Sequence, residues 1–270
     1  LDEFIQWKTE KGFHVIATYT DEIGSSAEGI RVYIQDLYNN PPTDVAPPSF
    51  VLLVGDTAQL PASYSDGAHV SDLNYCSFTN DMMPEILHGR FSAQNPNQLL
   101  SQINKTIEYE KFEFPNPDFL SKALMISGVD GTFADTHGNG QINYGNQYYF
   151  NSAHGYTTNY TYLYPESANN VDSQIHNHVS SGLGFVNYTA HGFESGWADP
   201  SFTNTDVSNL SNEHKYPLMV GNCCLTNAFD DTECFGESLL RASNKGAIGY
   251  IGGSDLTYWD EDYWWGVGSS

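Results

Sequence analysis

Positively charged residues are scarce in this chain of 270 residues. Lysine and arginine together number 10 and aspartate and glutamate together number 33, so the formal net charge at pH 7 is −23. The few cations are scattered and form no basic run, and a surface this acidic repels the phosphate backbone of nucleic acids. We therefore exclude a nucleic-acid-binding protein.

Cysteines and long apolar runs are scarce as well. The four cysteines, Cys76, Cys223, Cys224 and Cys234, do not make a disulfide framework for a chain of this length, and no C-x-x-C pair indicates zinc. No run of about 18 apolar residues occurs, so no membrane-spanning helix is predicted. With 40% hydrophobic and 14% aromatic residues, the chain is too apolar for a disordered acidic protein and predicts a folded one.

The two ends of the chain indicate a fragment. Leu1 stands directly in an amphipathic pattern, and the chain ends at Ser270 without a capping element. We therefore read nothing from the lack of a signal peptide, and we expect further domains of the same precursor. The segment Pro115-Asn116-Pro117 predicts a boundary between two subdomains, residues 1–123 and residues 124–270.

Apolar patterning predicts an α/β fold with mainly parallel sheets flanked by helices. Helical periodicity occurs over residues 1–12, 30–37 and 97–114, and a short strand is predicted over 14–17. Unbroken apolar runs predict strands buried on both faces over residues 50–56, 123–130, 184–192, 217–224 and 246–253. Three of these strands end in Asp130, His191 and Cys224. Because parallel strands have their carboxyl ends at one edge of the sheet, we expect these three residues to share a cleft.

These residue types suit nucleophilic catalysis. A thiolate forms near neutral pH only beside a base or cation, an imidazole supplies both, and a carboxylate orients the imidazole. Gly192 leaves room for a substrate carbonyl, and its N–H together with that of Cys224 could form an oxyanion hole contributing about 3 kcal/mol. Alternation along a strand directs either Cys223 or Cys224 to the cleft, without deciding which. The competing interpretation is that a buried cysteine and a structural histidine end these strands by chance.

The sequences around these residues resemble the gingipains, a family of cysteine peptidases. The similarity is carried by NYTAHGFESGWADP at 187–200 and VGNCCLTNAFD at 220–230, and it continues through 234–237, 250–254 and 258–265. Upstream it includes 51–56 and 89–92, so it covers nearly the whole chain. The resemblance implies a caspase-like fold of two side-by-side subdomains and a secreted prokaryotic endopeptidase. It also implies Cys224 as nucleophile, with Cys223 as second candidate, His191 as general base or acid, and Asp130 as the acidic third member.

The resemblance further implies substrate specificity. Asp262 aligns with the acidic residue that selects lysine in the lysine-specific gingipains, Trp259 with the aromatic wall of their pocket, and Thr189 with a substrate-binding position. The carboxylate that selects arginine in other members aligns with the neutral Gln141. We therefore predict cleavage after lysine, since a buried cationic side chain needs an anion. Arginine or mixed specificity is the alternative for the enzyme, and a solvated acidic turn is the alternative for residues 260–262.

Calcium is the predicted metal. Oxygen-bearing residues cluster in two loop regions, and oxygen ligands in flexible loops suit calcium better than zinc. The family also implies calcium stabilisation. The candidate ligands of the first region are Asp72, Asn74, Tyr75, Asp81 and Glu85. Those of the second region are Phe229, through its carbonyl, Asp230 and Glu237. The competing interpretation is that both regions are exposed acidic loops.

Two further classes of protein stay open. One is a catalytically silent gingipain-like domain that binds peptides, and the other is an intracellular caspase-like protein. The joint presence of Asp130, His191, Gly192, Cys224 and Asp262 favours the enzyme, because a silent domain has no physical reason to keep all five. The length of the gingipain similarity argues against the intracellular protein.

Overall fold

The computed structural model describes residues 1–65, 69–79, 81 and 83–268. Contacts divide the chain into two compact units, one from Leu1 to Ile103 and one from Asn104 onward. The subdomain boundary predicted between residues 123 and 124 lies later in the chain than this division. Among the described residues, none of the helices combines the length and apolar character needed to cross a bilayer.

The first unit packs helices against a small parallel sheet. Its helices and strands are α1 (Asp2–Glu10), α2 (Thr20–Ile23), α3 (Ala27–Asn39), β1 (Phe50–Val54), β2 (Ser63–Ser65), β3 (His69–Ser71), β4 (Leu87–Phe91) and the start of α4 (Pro96–Lys111). Strands β1 and β4 pair in parallel, and β2 and β3 pair antiparallel. Ile30 and Ile34, one helical turn apart on α3, pack in one buried cluster with Leu53 of β1.

The predicted helices of this unit are confirmed, whereas the strand predicted over 14–17 is wrong. That segment is irregular and mostly exposed, and it pairs with no strand among the described residues. A short apolar run becomes a strand only where a neighbouring strand accepts its hydrogen bonds. The local sequence pattern therefore showed that residues 14–17 are mostly apolar, but it did not show whether a neighbouring strand pairs with them.

The second unit contains a five-stranded parallel sheet in the order β12-β11-β7-β5-β6. These strands are β5 (Lys122–Ser127), β6 (Thr158–Tyr162), β7 (Phe185–Thr189), β11 (Leu218–Asn222) and β12 (Gly249–Gly252). A small antiparallel sheet contains β8 (Gly192–Phe193), β9 (Gly196–Trp197) and β10 (Phe202–Thr203). The helices are α5 (Asn139–Tyr148), α6 (Asp172–Ser181), α7 (Asn204–Ser208), α8 (Phe235–Arg241) and α9 (Trp259–Val267). The predicted α/β fold with a mainly parallel sheet is confirmed.

Side chains from the central strands form the core of the second unit. Leu124 and Ile126 of β5, Val186 of β7 and Met219 of β11 are fully buried. Tyr188 of β7 stacks on Trp197 with ring centroids 4.7 Å apart. Each large apolar side chain buried in this way contributes about 1.5–3 kcal/mol. This packing makes the strands a rigid base for the loops that follow them.

The division between the two units falls within helix α4, between Ile103 and Asn104. The side chains of Gln102 and Lys105, which lie on either side of it, form hydrogen bonds within their own units. Gln102 donates to the carbonyl of Ser92 at 2.8 Å within the first unit. Lys105 is buried, and its Nζ donates to the carbonyls of Leu239 and Lys245, each at 3.1 Å, within the second. Burial lowers the pKa of Lys105 to about 7. The Pro115-Asn116-Pro117 segment lies between α4 and β5. The division between the two compact units lies earlier, within α4.

Candidate active site

The register of three adjacent strands brings the predicted catalytic residues to one edge of the parallel sheet. Thr189 of β7 pairs with Ser127 of β5 on one side and with Asn222 of β11 on the other. Asp130, His191 and Cys224 follow these paired residues by three, two and two positions. The shared strand end is therefore a consequence of register, as the sequence pattern predicted.

Asp130 and His191 are hydrogen-bonded to each other. His191 Nε2 lies 2.8 Å from Asp130 Oδ2, while Asp130 Oδ1 accepts hydrogen bonds from the backbone N–H groups of Thr132 and Phe133 at 2.8 and 2.7 Å. Partial burial opposes ionisation of Asp130, but the bonds from Phe133, His191 and Thr132 outweigh it, and the pKa of Asp130 is lowered. An ionised carboxylate at Nε2 favours the tautomer that carries its proton there, in which Nδ1 is the nitrogen with the free lone pair.

Two aromatic rings line the other side of this pair. Trp259, the first residue of α9, meets the His191 ring edge-on, with centroids 5.7 Å apart and planes at 90°. Trp259 also stacks on Phe133, with centroids 5.9 Å apart. Phe133 in turn belongs to the loop that donates hydrogen bonds to Asp130. The imidazole thus contacts a carboxylate and an indole, and both are braced by the same loop.

The two neighbouring cysteines have different environments. Cys223 is fully buried among core residues, and burial raises the pKa of its thiol to about 12. Cys224 is partly exposed, and its Sγ accepts a hydrogen bond from the backbone N–H of Thr257 at 3.3 Å. A nucleophile has to be reached by substrate and has to ionise. Cys223 fails both requirements, and Cys224 is the one of the two that substrate can reach.

The backbone turns sharply directly after Cys224. Thr226 N–H donates to the carbonyl of Cys224 at 2.8 Å, and Leu225 between them has a φ of 60°. This γ-turn costs a non-glycine residue about 1–3 kcal/mol. Leu225 N–H donates to the carbonyl of Asp255 at 3.1 Å, so the loop before α9 holds the turn in place. The conformation next to the thiol is therefore imposed by tertiary structure.

Gly192 packs directly against the cysteine pair. A Cβ atom on Gly192 would lie 2.7 Å from Cys223 Sγ and 2.7 Å from the carbonyl oxygen of Cys224, so only glycine fits. Ala198 N–H donates to the carbonyl of His191, which makes Gly192 and Trp197 a non-hydrogen-bonded pair in the β8–β9 hairpin. In such a pair the Gly192 N–H points away from β9.

The acidic run at the start of α9 is divided by burial. Asp260 and Glu261 are exposed, whereas Asp262 is buried and its Oδ2 accepts a 2.8 Å hydrogen bond from the hydroxyl of Thr257. Burial, and to a smaller extent the neighbouring Glu261, raise the pKa of Asp262 against the opposing effect of the Thr257 hydrogen bond. The solvated-turn interpretation therefore describes two of the three residues and fails for Asp262.

Asn222 connects the sheet edge to α9. Its Nδ2 donates to the carbonyl of Asp262 at 2.8 Å and to Gln141 Oε1 at 2.9 Å. Gln141 Nε2 and Thr189 Oγ1 are buried and have no hydrogen-bond partner among the described residues. Polar groups of this kind are available to a ligand or to water.

Three residues of the site were not singled out from the sequence: Phe133, Thr257 and Asn222. None of them ionises, so the search for titratable groups at strand ends passed them over. Asn222 directly precedes the cysteine pair, and Thr257 directly precedes the Tyr258-Trp259 segment of the gingipain similarity. These adjacencies are the signals that would have indicated them.

The candidate calcium ligands are partly engaged by other groups. Both carboxylate oxygens of Asp72 accept hydrogen bonds from Arg90 at 2.8 Å, and those of Glu237 accept from Arg241 and from the N–H of Cys234. Among the described residues, no group of three or more histidine, cysteine or acidic side chains is arranged to hold a metal ion. Asp72 and Glu237 therefore do not fit a calcium site in this arrangement.

The other candidate ligands are spread over separate local structures. Asn74 lies in a short 3-10 turn, Leu73–Tyr75. Asp81 accepts from the N–H of Met83 at 3.0 Å, and Glu85 accepts from Phe78 and Thr79. Phe229 is buried and Asp230 is exposed in the loop after Cys224. Calcium binding at either region stays a prediction.

Comparison with known proteins gives one consistent result. Residues 1–266 match peptidase family C25. The chain is 41% identical over 274 residues to a Lys-gingipain of Porphyromonas gingivalis and 28% identical over 252 residues to gingipain R2 of the same species. These alignments cover 100% and 91% of the chain but 16% and 33% of the relatives.

Solved structures agree with the sequence relatives. A protease structure that is 40% identical superposes with a TM-score of 0.93, covering 99% of this chain and 59% of the other. The Arg-specific cysteine proteinase gingipain R, 28% identical, superposes with a TM-score of 0.81 over 97% of this chain and 61% of the other. The caspase-like α/β fold expected from the gingipain resemblance is thereby confirmed.

Proposed function

The chain belongs to peptidase family C25, and from this premise we propose that it carries the catalytic centre of a cysteine endopeptidase that cleaves after lysine. The observation that carries the proposal is the hydrogen bond between Asp130 and His191 at the strand edge where Cys224 follows the adjacent strand. An exposed imidazole oriented by an ionised carboxylate, at the sheet edge that also presents an accessible thiol, suits acyl transfer.

The chemistry proceeds through a thioester. The Cys224 thiol gives its proton to His191, and the sulfur attacks the carbonyl carbon of the scissile peptide bond. The bond between that carbon and the amide nitrogen then breaks, and the amine leaves with the proton from His191. A water molecule, deprotonated by His191, attacks the thioester, and the thiol is released with the carboxylate product. Asp130 supports the positive charge on His191 in both halves.

Two backbone N–H groups are suited to the developing oxyanion. Gly192 has its N–H directed away from β9, and Gly192 packs on the carbonyl of Cys224. We assign the N–H groups of Gly192 and Cys224 to the oxyanion hole, where one donor contributes about 3 kcal/mol. Backbone donors of this kind are fixed before substrate arrives and need no reorganisation.

Lysine specificity rests on the buried carboxylate of Asp262. A lysine ammonium that leaves water needs an anion, and Asp262 supplies one in an otherwise neutral environment of Thr257, Asn222 and Gln141. Trp259 provides the apolar surface for the lysine stem, and Thr189 presents a buried hydroxyl that has no hydrogen-bond partner in the described part of the chain. The neutral Gln141 leaves arginine without a second carboxylate.

The specificity test uses three chromogenic peptides that differ only at P1, with lysine, arginine or leucine. We expect kcat/KM to be highest for lysine, and Asp262→Asn to remove that preference. Glu261→Gln is the matched control, because it removes a neighbouring exposed charge from the same helical turn. A preference of the parent for arginine or leucine would contradict the assignment.

A lysyl chloromethyl ketone distinguishes the enzyme from a silent peptide-binding domain. We expect one covalent adduct on the parent, retained in Cys223→Ala and lost in Cys224→Ala. An adduct retained in Cys224→Ala would make Cys223 the nucleophile. A parent without adduct, yet binding the peptide in calorimetry, would identify the silent domain.

The remaining expectations also belong to the proposal. Secretion is an expectation from the gingipain resemblance, and the proposed substrates are proteins or peptides with lysine at P1. Further domains of the same precursor and structural calcium stay predictions. Secretion is tested by locating the protein in culture supernatant against cell fractions.

A further inference from the structure

Thr257 contacts both the candidate nucleophile and the candidate specificity residue. Its backbone N–H donates to Cys224 Sγ at 3.3 Å, and its hydroxyl donates to Asp262 Oδ2 at 2.8 Å. Its carbonyl oxygen lies 3.7 Å from the same sulfur. Thr257 is partly buried in the loop between β12 and α9, so both bonds are shielded from competing water.

The two contacts use different parts of the residue. The 3.3 Å bond to sulfur comes from the backbone N–H, which a side-chain substitution leaves in place. The bond to Asp262 comes from the hydroxyl, which also lies 3.8 Å from Cys224 Sγ. A serine keeps the hydroxyl, and a valine has the same shape without it. Valine therefore removes both hydroxyl contacts and leaves the backbone bond to sulfur.

We propose that Thr257 is a specificity-determining positioning residue whose hydroxyl orients the Asp262 carboxylate toward a P1 lysine, while its N–H holds the sulfur of Cys224. The inference rests on the proposed function and deepens it. Through this one residue, the distance between the lysine-binding carboxylate and the thiol is fixed by two hydrogen bonds. A P1 ammonium held at Asp262 is thereby placed in a constant position relative to the attacking atom.

The direction of the hydroxyl effect follows from the surroundings of Asp262. Burial and Glu261 raise the pKa of Asp262, and the Thr257 hydroxyl lowers it. Loss of the hydroxyl removes the only one of these three influences that favours the charged form. The carboxylate then ionises at higher pH, and lysine binding at mildly acidic pH weakens.

Other groups around Asp262 do not substitute for the hydroxyl. Asn222 binds the backbone carbonyl of Asp262 rather than its carboxylate. Glu261 is the charged neighbour on the same helix, and Cys223 and Cys224 are the titratable groups at the end of β11. Asp260 on the same turn bonds to His137 and is exposed. Of these groups, Glu261 is the one whose charge disfavours ionisation of Asp262.

The test compares Thr257→Val and Thr257→Ser with the parent on peptides carrying P1 lysine or its uncharged analogue norleucine. For Thr257→Val we expect kcat/KM on lysine to fall about 10-fold at pH 6, the change that corresponds to about 1.4 kcal/mol. The acidic limb of the lysine pH profile moves to higher pH. The fall on norleucine, which reports the lost hydroxyl contact with Cys224 Sγ, is smaller than the fall on lysine. Thr257→Ser restores the parent profile.

Thr203→Val is the matched control. Thr203 also donates its hydroxyl to a carboxylate, Asp206 at 3.0 Å, in the cap of α7. Its loss lowers stability without reaching Asp262. If Thr203→Val reproduces the selective loss of lysine cleavage, or if Thr257→Val lowers both substrates equally, Thr257 has only a structural role and the inference is overturned.

A measurement without turnover separates this inference from the proposed function. The carboxyl ¹³C resonance of Asp262, identified by its disappearance in Asp262→Asn, reports ionisation directly. We expect its titration midpoint to rise in Thr257→Val and to return in Thr257→Ser. If the parent cleaves no P1-lysine peptide, the proposed function fails while this titration still decides the link between Thr257 and Asp262. An unchanged midpoint would refute that link even in an active enzyme.

Discussion

His191 Nε2 and Asp130 Oδ2 are 2.8 Å apart, although 61 residues separate them in sequence. The second oxygen of Asp130 is held by two backbone N–H groups of its own loop, so the carboxylate cannot rotate away from the imidazole. His191 is about half exposed, which leaves its other nitrogen accessible to substrate and thiol. The pair is therefore oriented before any substrate binds.

Asp130→Asn should lower kcat/KM about 100-fold or more, because an amide neither supports the imidazolium nor fixes the tautomer. The backbone bonds to Oδ1 can persist, so the melting temperature should change little. Asp135→Asn, in the next turn of the chain, is the control and should retain activity. Equal activity of the parent and Asp130→Asn would remove Asp130 from the mechanism.

The pH dependence of the parent follows from the lowered pKa of Asp130. A carboxyl whose folded-state pKa lies below its unfolded value contributes stability above the unfolded value, about 3.9, and loses it as pH falls through the folded value. Between pH 5 and 8 we therefore expect no change in activity or melting temperature from Asp130. Measuring the activity and the melting temperature of the parent and of Asp130→Asn over this pH range isolates the contribution of the Asp130 carboxylate.

Gly192→Ala should abolish measurable cleavage, since the added methyl group meets the sulfur of Cys223 and the carbonyl of Cys224 at 2.7 Å. Gly131→Ala is the matched control, because a Cβ atom there has no neighbour within 4 Å. We expect that variant to retain parent activity and melting temperature. Full activity of Gly192→Ala would mean that the close approach to Cys224 is not needed.

Alkylation should select one of the four cysteines. Cys76, Cys223 and Cys234 are buried, and burial raises the pKa of each thiol, to about 12 for Cys76 and Cys223. Cys224 is the partly exposed one. One equivalent of iodoacetamide at pH 7.5 should therefore label Cys224 alone, as read by peptide mass. Labelling that persists in Cys224→Ala under native conditions would contradict the assignment of the exposed thiol.

The sequence pattern was sufficient for four of the five strands of the parallel sheet and for the placement of Asp130, His191 and Cys224 along its edge, whereas β6 was not predicted. Apolar runs predicted the strands β1, β5, β7, β11 and β12, and the rule that parallel strands end together predicted the proximity of Asp130 and His191. Both inferences rest on backbone geometry, which sequence periodicity reports directly. Pairing between strands depends on residues that are distant in the sequence, and for this reason the strand predicted over 14–17 was wrong.

The sequence pattern could not predict contacts between residues that are far apart in the chain. Thr257 lies 33 residues after Cys224, and nothing in its neighbours indicates a bond to sulfur. Arg90 binds Asp72 across 18 residues, whereas Arg241 binds Glu237 only one helical turn away on α8, a spacing that the sequence does show. An acidic residue can bind a metal ion or pair with an arginine, and composition does not distinguish the two, so calcium binding stays a prediction. Choosing between Cys223 and Cys224 likewise required burial.

Calcium binding is tested by calorimetry on the protein with added calcium and with a chelator. If an ion binds only the folded state, the melting temperature rises with calcium concentration and falls on chelation. Glu85→Gln should reduce that rise if the first loop region is the site, and Asp118→Asn is an exposed control far from both regions in sequence. A melting temperature that is the same in calcium and chelator would end the prediction.

The contact between His137 and Asp260 should affect substrate affinity more than turnover. His137 Nε2 lies 2.8 Å from Asp260 Oδ1, and the His137 ring packs edge-on against Phe133 and Tyr263. This contact joins the loop after Asp130 to the first turn of α9, which begins at Trp259. The bond therefore helps to hold Trp259, the proposed wall of the lysine pocket, against the His191 ring.

His137→Phe keeps a ring of similar size and removes the bond to Asp260. Because Asp260 is 80% exposed, the pair contributes at most about 1 kcal/mol, so we expect KM for a P1-lysine peptide to rise about two- to fivefold with kcat nearly constant. Asp260→Asn should give the same change, and the double variant should add nothing further, since both remove one interaction. Additive effects in the double variant would show that the two residues act on substrate separately.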